Sequence, residues 1–293
     1  MQATVKTGLE FRGQGLHSGR PVRMRILPAS ANYGIWFKRT DLRDGDPMIP
    51  ARHDAVIDTR LCTVLGNRDG ARVGTVEHVM AALAGAGVDN ALIELDGPEV
   101  PIMDGSSRAF AEAIAAAGLA RVAAERRRIR VLEPVEVIDG DRLARLEPAD
   151  GFEIDFEIDF PDAAIGRQAA RLRLAPGAFG RELADCRTFC RVAEVTAMRA
   201  AGLALGGGLD NAVVVDGDRV LNPEGLRRTD EFVRHKMLDA VGDLALAGAP
   251  ILGRYVGRRA GHEMTARLLA ALFARPLAWR AESAETARHR LAA

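Results

Sequence analysis

The chain has 293 residues, 48% of them apolar and 27% charged, with 40 basic side chains balancing 40 acidic ones. These proportions exclude intrinsic disorder, and a net charge of zero leaves no overall field to gather DNA or RNA. Cys62, Cys186 and Cys190 are odd in number, so no disulfide framework is expected. Cys186 and Cys190, four residues apart, would be half of a metal site or simply reduced thiols, and no second cysteine pair completes a cluster. The opening residues MQATVKTGLE are polar and alternating, unlike a signal peptide, and no apolar run nears the roughly 20 residues that cross a bilayer. A cytoplasmic protein without a transmembrane segment is the expectation.

In chain order, Val22, Met24 and Ile26 alternate with Arg23 and Arg25 and predict a strand; Ile35–Lys38 predicts a second. From Thr75 the period lengthens. Val76, Val79, Met80 and Leu83 fall on one helical face, with Gly85 and Gly87 expected to stop the helix. Ala91–Leu95 reads as a strand, and Ser106 as the cap of a helix carrying Phe110, Ala113 and Ile114. The order then recurs. Val131–Ile138 and Phe152–Phe160 predict strands, and Asp216-Gly217 a hairpin turn between Val213–Val215 and Arg219–Leu221. Thr229 or Asp230 is the expected cap of a long helix with Phe232, Val233, Met237, Leu238, Val241 and Leu244 on its apolar side. A strand at Ile251–Val256 and a helix opened by His262 finish the pattern. Two similar α+β domains are therefore expected, residues 1–125 and 126–293, with helices packed as a layer against sheets.

The chemistry centres on histidines. His235 and Asp239 are four residues apart in DEFVRHKMLDAVGD, so one helical face presents both, and Asp243 continues that face. Such a pair holds a metal from rigid backbone; a surface ion pair worth a few tenths of a kcal/mol has the same spacing. In TVEH, Glu77 precedes His78 at a helix start. His78, His235 and Asp239 would complete a three-ligand zinc site if the two helices face each other, with Glu77 beside it as general base; a glutamate that merely favours the helix dipole would sit there too. Iron(II) or cobalt(II) also suits two imidazoles and a carboxylate. His262-Glu263-Met264-Thr265-Ala266 begins like a zinc-peptidase helix but lacks its second histidine, and Gly206-Gly207-Gly208 lacks the Lys-Ser or Lys-Thr of a phosphate loop.

Taken together, GLHSG (15–19), DTRLCT (58–63), TVEHVMAAL (75–83), PIMDGS (101–106), RTF (187–189), LDNA (209–212), VLNPEGLR (220–227), DEFVRHKMLDAVGDL (230–244) and GH (261–262) resemble, in this order, the UDP-3-O-acyl-N-acetylglucosamine deacetylase family of lipid A biosynthesis. The resemblance runs from about Thr4 to Trp279. It implies two α+β domains with helices sandwiched between two sheets and a small insert in each, near 41–62 and 191–219. It implies one zinc held by His78, His235 and Asp239, with Glu77 as base. Thr188 would support the oxyanion, Lys236 would lie near the reacting carbonyl, and His262, oriented by Asp243, would protonate the leaving amine. Phe189 would pack on the sugar, and Val195 and Leu203 would line a passage for the acyl chain. The implied partner is an acylated UDP-sugar, met by a monomer that touches the inner membrane surface transiently at most. Other readings are a zinc amidohydrolase of another N-acetyl sugar and a non-catalytic sensor of acylated sugar nucleotides. Cys190, Arg191, Gly208 and Met264-Thr265-Ala266 depart from the family pattern. Arg191 is expected to pair with an acid such as Glu194 or to snorkel, narrowing the passage in favour of medium-length chains.

Overall fold

The computed structural model describes residues 1–283; His289 and the end of the second expected domain lie outside the described residues. The described residues form a mixed α+β fold with six α-helices: α1 (Glu77–Ala86), α2 (Arg108–Ala117), α3 (Ala178–Glu182), α4 (Val192–Ala200), α5 (Glu231–Ala245) and α6 (His262–Phe273). A five-stranded sheet runs, in spatial order, Leu9–Gln14, Pro21–Pro28, Ala91–Leu95, Ile35–Arg39, Met48–Pro50. In the strand Pro21–Pro28, Val22, Met24 and Ile26 are buried and the arginines between them are exposed, so the period-two signal sets which face meets the core. A seven-stranded sheet is built about Ile251–Arg258, which runs parallel to Phe152–Asp159 and Arg127–Val131 and antiparallel to Arg142–Glu147.

The longer helices fill the space between these sheets. α2 lies against Leu9–Gln14, where the Phe11 and Phe110 rings meet edge to face at 5.0 Å. α6 covers Val135–Asp139 and Arg142–Glu147; α5 covers Phe152–Asp159 and Arg167–Arg173. Between them, α1 packs on α5. Two smaller three-stranded sheets stand apart: Val56–Asp58, Val64–Gly66 and Arg72–Val73 form one, and Phe189–Arg191, Val213–Asp216 and Arg219–Val220 the other, with α4 beside it.

Several boundaries differ from expectation for local reasons. Gly85 does not stop α1. It lies in the last turn, where a Cβ would fall 2.4 Å from the Phe179 ring, so glycine there admits α3; Gly87, at φ 80°, ends the helix. The cap of α2 is Ser107 rather than Ser106, whose hydroxyl instead accepts a hydrogen bond from the Arg108 backbone N–H at 3.2 Å. Val131–Ile138 is two strands, parted at Leu132-Glu133-Pro134, since proline has no N–H for a ladder. Asp230 stands at the N-cap of α5 but makes no capping hydrogen bond; its carboxylate pairs with Arg234 at 2.8 Å. Cys186 and Cys190 are free thiols and join no metal-capable group among the described residues.

Candidate active site

The site begins with a close helix crossing. A Cβ on Gly242 of α5 would lie 2.0 Å from the Glu77 carbonyl oxygen, so only glycine lets α5 seat against the first turn of α1. The chain enters α1 through Thr75, at φ 55°, whose hydroxyl donates to Glu99 Oε1 at 2.8 Å. This crossing sets His78 opposite His235 and Asp239.

Those three residues are 3%, 2% and 5% exposed, which excludes a solvated surface ion pair. One ligand atom from each falls within 4.8 Å of the others. Asp239 Oδ1 lies 3.3 Å from His235 Nε2 and 3.6 Å from His78 Nε2, and the two rings stand nearly perpendicular, 5.1 Å apart. His235 Nδ1 is 3.0 Å from the Cys186 carbonyl, which can only accept, so Nδ1 carries the hydrogen and the Nε2 lone pair faces the cluster. Burial, opposed by Asp239, pushes the His235 pKa down to about 4, leaving the neutral imidazole a metal requires. Burial would raise Asp239, but His235 and Lys236 hold it well below the usual carboxylate range. Its Oδ1 is buried and has no hydrogen-bond partner. An orphaned carboxylate oxygen facing two imidazoles is costly unless a cation completes it, and the donor set fits a three-ligand zinc site.

Around this cluster the proton-handling groups are tied together. Glu77 is 3% exposed; burial raises its pKa, against the attraction of His262 and His78. Asp243 Oδ2 lies 2.8 Å from His262 Nδ1. Burial disfavours the imidazolium, but Asp243, aided by Glu77 and Asp239, outweighs it and pushes His262 up to about 9. Lys236 Nζ donates to Asp239 Oδ2 at 2.7 Å. Thr63 links two of these groups: its backbone N–H donates to Glu77 Oε2 at 3.1 Å and its hydroxyl to Asp243 Oδ1 at 2.6 Å. Thr63 was not among the expected site residues, though DTRLCT ends on it. His17 was also missed. Its pKa is lowered chiefly by burial and also by the charge of His262, and its Nε2 is buried without a partner.

A second buried charge network stands one turn before His235 on α5. Arg187 is 1% exposed and Glu231 0%. Arg187 donates through its backbone N–H and Nε to Glu231 Oε1 at 3.0 and 2.9 Å, and through its other nitrogens to Glu224 and to the Gly225 carbonyl. The network pins the Cys186–Thr188 segment, and thereby the carbonyl that orients His235.

The remaining expected residues lie on neighbouring segments. Phe189 is half-buried and bridges outward, its ring 5.0 Å from Phe232, 5.5 Å from Phe160 and 6.3 Å from His235. Thr188 is fixed by its backbone, its N–H donating to the Gly105 carbonyl at 2.7 Å, and its side chain makes no hydrogen bond to the cluster among the described residues. Val195 on α4 and Leu203 beyond it are half-buried, and α4 has no fully buried residue. Arg191 pairs with Glu194 at 3.1 Å, as expected, and also with Asp162. In the departure after the Gly-His pair, Met264 and Thr265 are buried, and the Thr265 and Tyr255 hydroxyls are 3.1 Å apart.

Comparison with known proteins adds an independent finding. Residues 2–274 match the family model for UDP-3-O-acyl N-acetylglycosamine deacetylase. The chain is similar to proteins named UDP-3-O-acyl-N-acetylglucosamine deacetylase in several bacteria. That of Phenylobacterium zucineum (strain HLK1) is 55% identical over 279 residues, 95% of each chain. That of Anaeromyxobacter sp. (strain Fw109-5) is 50% identical over 275 residues, 94% of this chain and 89% of the relative. That of Idiomarina loihiensis is 48% identical over 282 residues, 95% and 91% of the two chains.

Proposed function

The chain belongs to the UDP-3-O-acyl-N-acetylglucosamine deacetylase family, and from that premise we propose that His78, His235 and Asp239 hold a catalytic zinc ion for its reaction. The reaction is hydrolysis of the acetamide of UDP-3-O-(3-hydroxyacyl)-N-acetylglucosamine to acetate and the free amine, in lipid A biosynthesis. The observation that carries the zinc assignment is the buried, unpartnered Asp239 Oδ1 facing two histidine Nε2 atoms. Zinc bound there supplies Lewis acidity, lowering the pKa of a water toward about 7 and polarising the acetyl carbonyl.

The protein's own groups then divide the proton work. Glu77 takes the proton from the attacking water; its buried setting favours the protonated product of that transfer. Lys236, held at Asp239, offsets negative charge gathering on the former carbonyl oxygen, with the Thr188 hydroxyl as a further donor. As the C–N bond breaks, the amine needs a proton, which His262 delivers from Nε2 while Asp243 keeps Nδ1 protonated and the ring in place. Thr63 holds Glu77 and Asp243 in register. A sensor that only binds acylated sugar nucleotide has no use for an imidazolium held ready by a carboxylate, which favours catalysis. Phe189 is suited to the sugar face, and Val195 and Leu203 to an acyl passage. Arg191, tied to Asp162 and Glu194, narrows that passage.

The two-domain division near residue 125 is supported by the strands on either side: Leu119–Val122 pairs with Gln2–Val5, whereas Arg127–Val131 enters the seven-stranded sheet. A cytoplasmic monomer is the corresponding reading; among the described residues no helix is long and apolar enough to cross a membrane. The deciding experiment is metal analysis of the purified protein combined with deacetylation of acylated and unacylated UDP-N-acetylglucosamine. About one zinc per chain and turnover confined to the acylated substrate are expected. Turnover that survives exhaustive chelation would sink the zinc assignment, and equal rates on both substrates would favour a different N-acetyl sugar.

A further inference from the structure

Glu99 is a buried carboxylate, 5% exposed, and among the described residues no cation pairs with it. Its three partners are neutral donors. Oε1 accepts from the His17 backbone N–H and from the Thr75 hydroxyl, each at 2.8 Å, and Oε2 accepts from the Ser18 backbone N–H at 2.9 Å. The backbone beside it is fixed to the entry of α1: the Gly74 N–H donates to the Pro98 carbonyl at 2.9 Å and the Val100 N–H to the Gly74 carbonyl at 3.0 Å. A buried anion thus holds residues 15–19 against the peptide that leads to Glu77 and His78. Glycine is required at position 15, where a Cβ would overlap the Glu99 carboxylate.

The other side of that turn is fastened to the segment that follows α4. The Gly206 N–H donates to the Leu16 carbonyl at 3.0 Å, the Leu205 N–H to the His17 carbonyl at 3.2 Å and the Ala204 N–H to His17 Nδ1 at 3.4 Å, while Gln14 Nε2 donates to the Gly206 carbonyl at 3.0 Å. The two backbones touch, since a Cβ on Gly206 would overlap the Gly15 carbonyl oxygen. Ala204 stands at φ 53°, a conformation disfavoured for a residue with a side chain, and these contacts hold it there. α4 has no fully buried residue, so its position depends on what its ends are tied to. Its C-terminal end runs through Leu203, whose N–H donates to the Met198 carbonyl at 2.9 Å, directly into this contact. Val195 and Leu203, the residues suited to the acyl passage, are therefore placed against a turn from the N-terminal half of the chain.

We propose that Glu99 is a positioning residue for acyl-chain selectivity: by clamping residues 15–19 it seats residues 204–206, and with them the passage wall that α4 and Leu203 provide. The inference rests on the acyl passage proposed above and adds to it a residue that makes no hydrogen bond to the metal cluster.

Glu99→Gln keeps the shape of the side chain and alters its bonding. A carboxamide offers one oxygen and its NH2 group cannot accept, so either the His17 or the Ser18 backbone N–H is left without its acceptor. Gly206→Ala attacks the same contact from the other side, by overlap with Gly15. Both variants and their combination are compared with the parent on UDP-N-acetylglucosamine carrying a 3-O-(3-hydroxydodecanoyl) or a 3-O-(3-hydroxybutyryl) chain. Zinc content and backbone hydrogen exchange of peptides covering residues 202–208 are read beside turnover. In each single variant the ratio of kcat/KM for the long chain to that for the short chain should fall on the order of tenfold, the worth of about two methylenes returned to water. The change should lie in KM for the long chain, with kcat on the short chain and zinc content retained, and exchange of residues 202–208 should quicken. The double variant should fall no further than the worse single one, because one contact can be broken only once. Equal losses on both chains, unchanged exchange, or additive effects in the double variant would overturn the proposal. A parent that turns over both chains equally would sink the passage and this inference with it, whereas a parent preference left unmoved by both variants would sink the role of Glu99 alone.

Discussion

Two networks of buried charge meet on α5, their carboxylates Glu231 and Asp239 about two turns apart, and they end differently. At Glu231 both carboxylate oxygens are filled, Oε1 by the backbone and Nε of Arg187 and Oε2 by the Arg227 backbone N–H at 2.7 Å. At Asp239, Oδ2 accepts from Lys236 while Oδ1 faces two imidazoles with no donor. Both carboxylates are buried, Glu231 at 0% and Asp239 at 5% exposed. The closed network fixes a loop to a helix, whereas the open one has a valence to spare, and that deficit marks where a cation belongs.

Removing the open carboxylate should have the largest effect. Asp239→Ala is expected to lose bound zinc and bring turnover to background, read by metal analysis beside the deacetylation assay. If both Asp239→Ala and His235→Ala kept stoichiometric zinc, the contrast between the networks would collapse. Glu231→Ala should act on the fold first, leaving the Arg187 backbone N–H and Nε without their acceptor while Glu224 and the Gly225 carbonyl still hold the other guanidinium nitrogens, at a cost of about 3 kcal/mol, measured as a shift in the urea unfolding midpoint. A midpoint within error of the parent protein would show that the closed network is not structural.

Glu77→Ala sharpens the division between ligand and base. It should retain zinc and lose roughly 10²-fold or more in kcat. Since Glu77 must be deprotonated to act and burial raises its pKa, the parent should lose activity as pH falls through that raised value, and the variant should lack this acidic limb. Release of the metal by Glu77→Ala would make Glu77 a ligand instead. The smallest effect is expected from Asp243→Asn. His262 acts as the protonated form, which exists below its pKa of about 9, so the parent should lose activity as pH rises through that value. Without the carboxylate the imidazolium is less favoured, and the basic limb of the pH–rate profile should move to lower pH. An unmoved limb would remove Asp243 as the positioning residue for His262.

Short-range features were legible in the sequence and contacts made over long separations were not. Spacings of three and four residues located α1 and α5, and the four-residue step from His235 to Asp239 correctly put both on one face. Burial of that face depends on α1 arriving from far away in the chain, which the spacing cannot encode. For the same reason Thr63 was invisible: its hydroxyl meets Asp243 across most of the protein. Gly85 and Pro134 were misjudged in opposite senses. Glycine near a helix end reads as a stop, yet here it makes room for Phe179; an apolar run reads as one strand until a missing N–H divides it.

Gly242 carries a consequence of another kind. Where two elements meet through side chains, rotamer changes can absorb small errors, and the spacing between the elements can drift as those side chains are exchanged over evolution. At Gly242 the helix backbone bears directly on the Glu77 main chain, so there is no side chain to adjust. The distance between the two halves of the catalytic centre is thereby referred to peptide geometry, which barely changes from one sequence to another. The surrounding core can be repacked extensively while the ligands keep their separation, because the measure of that separation lies in the main chain and not in any residue that selection is free to resize.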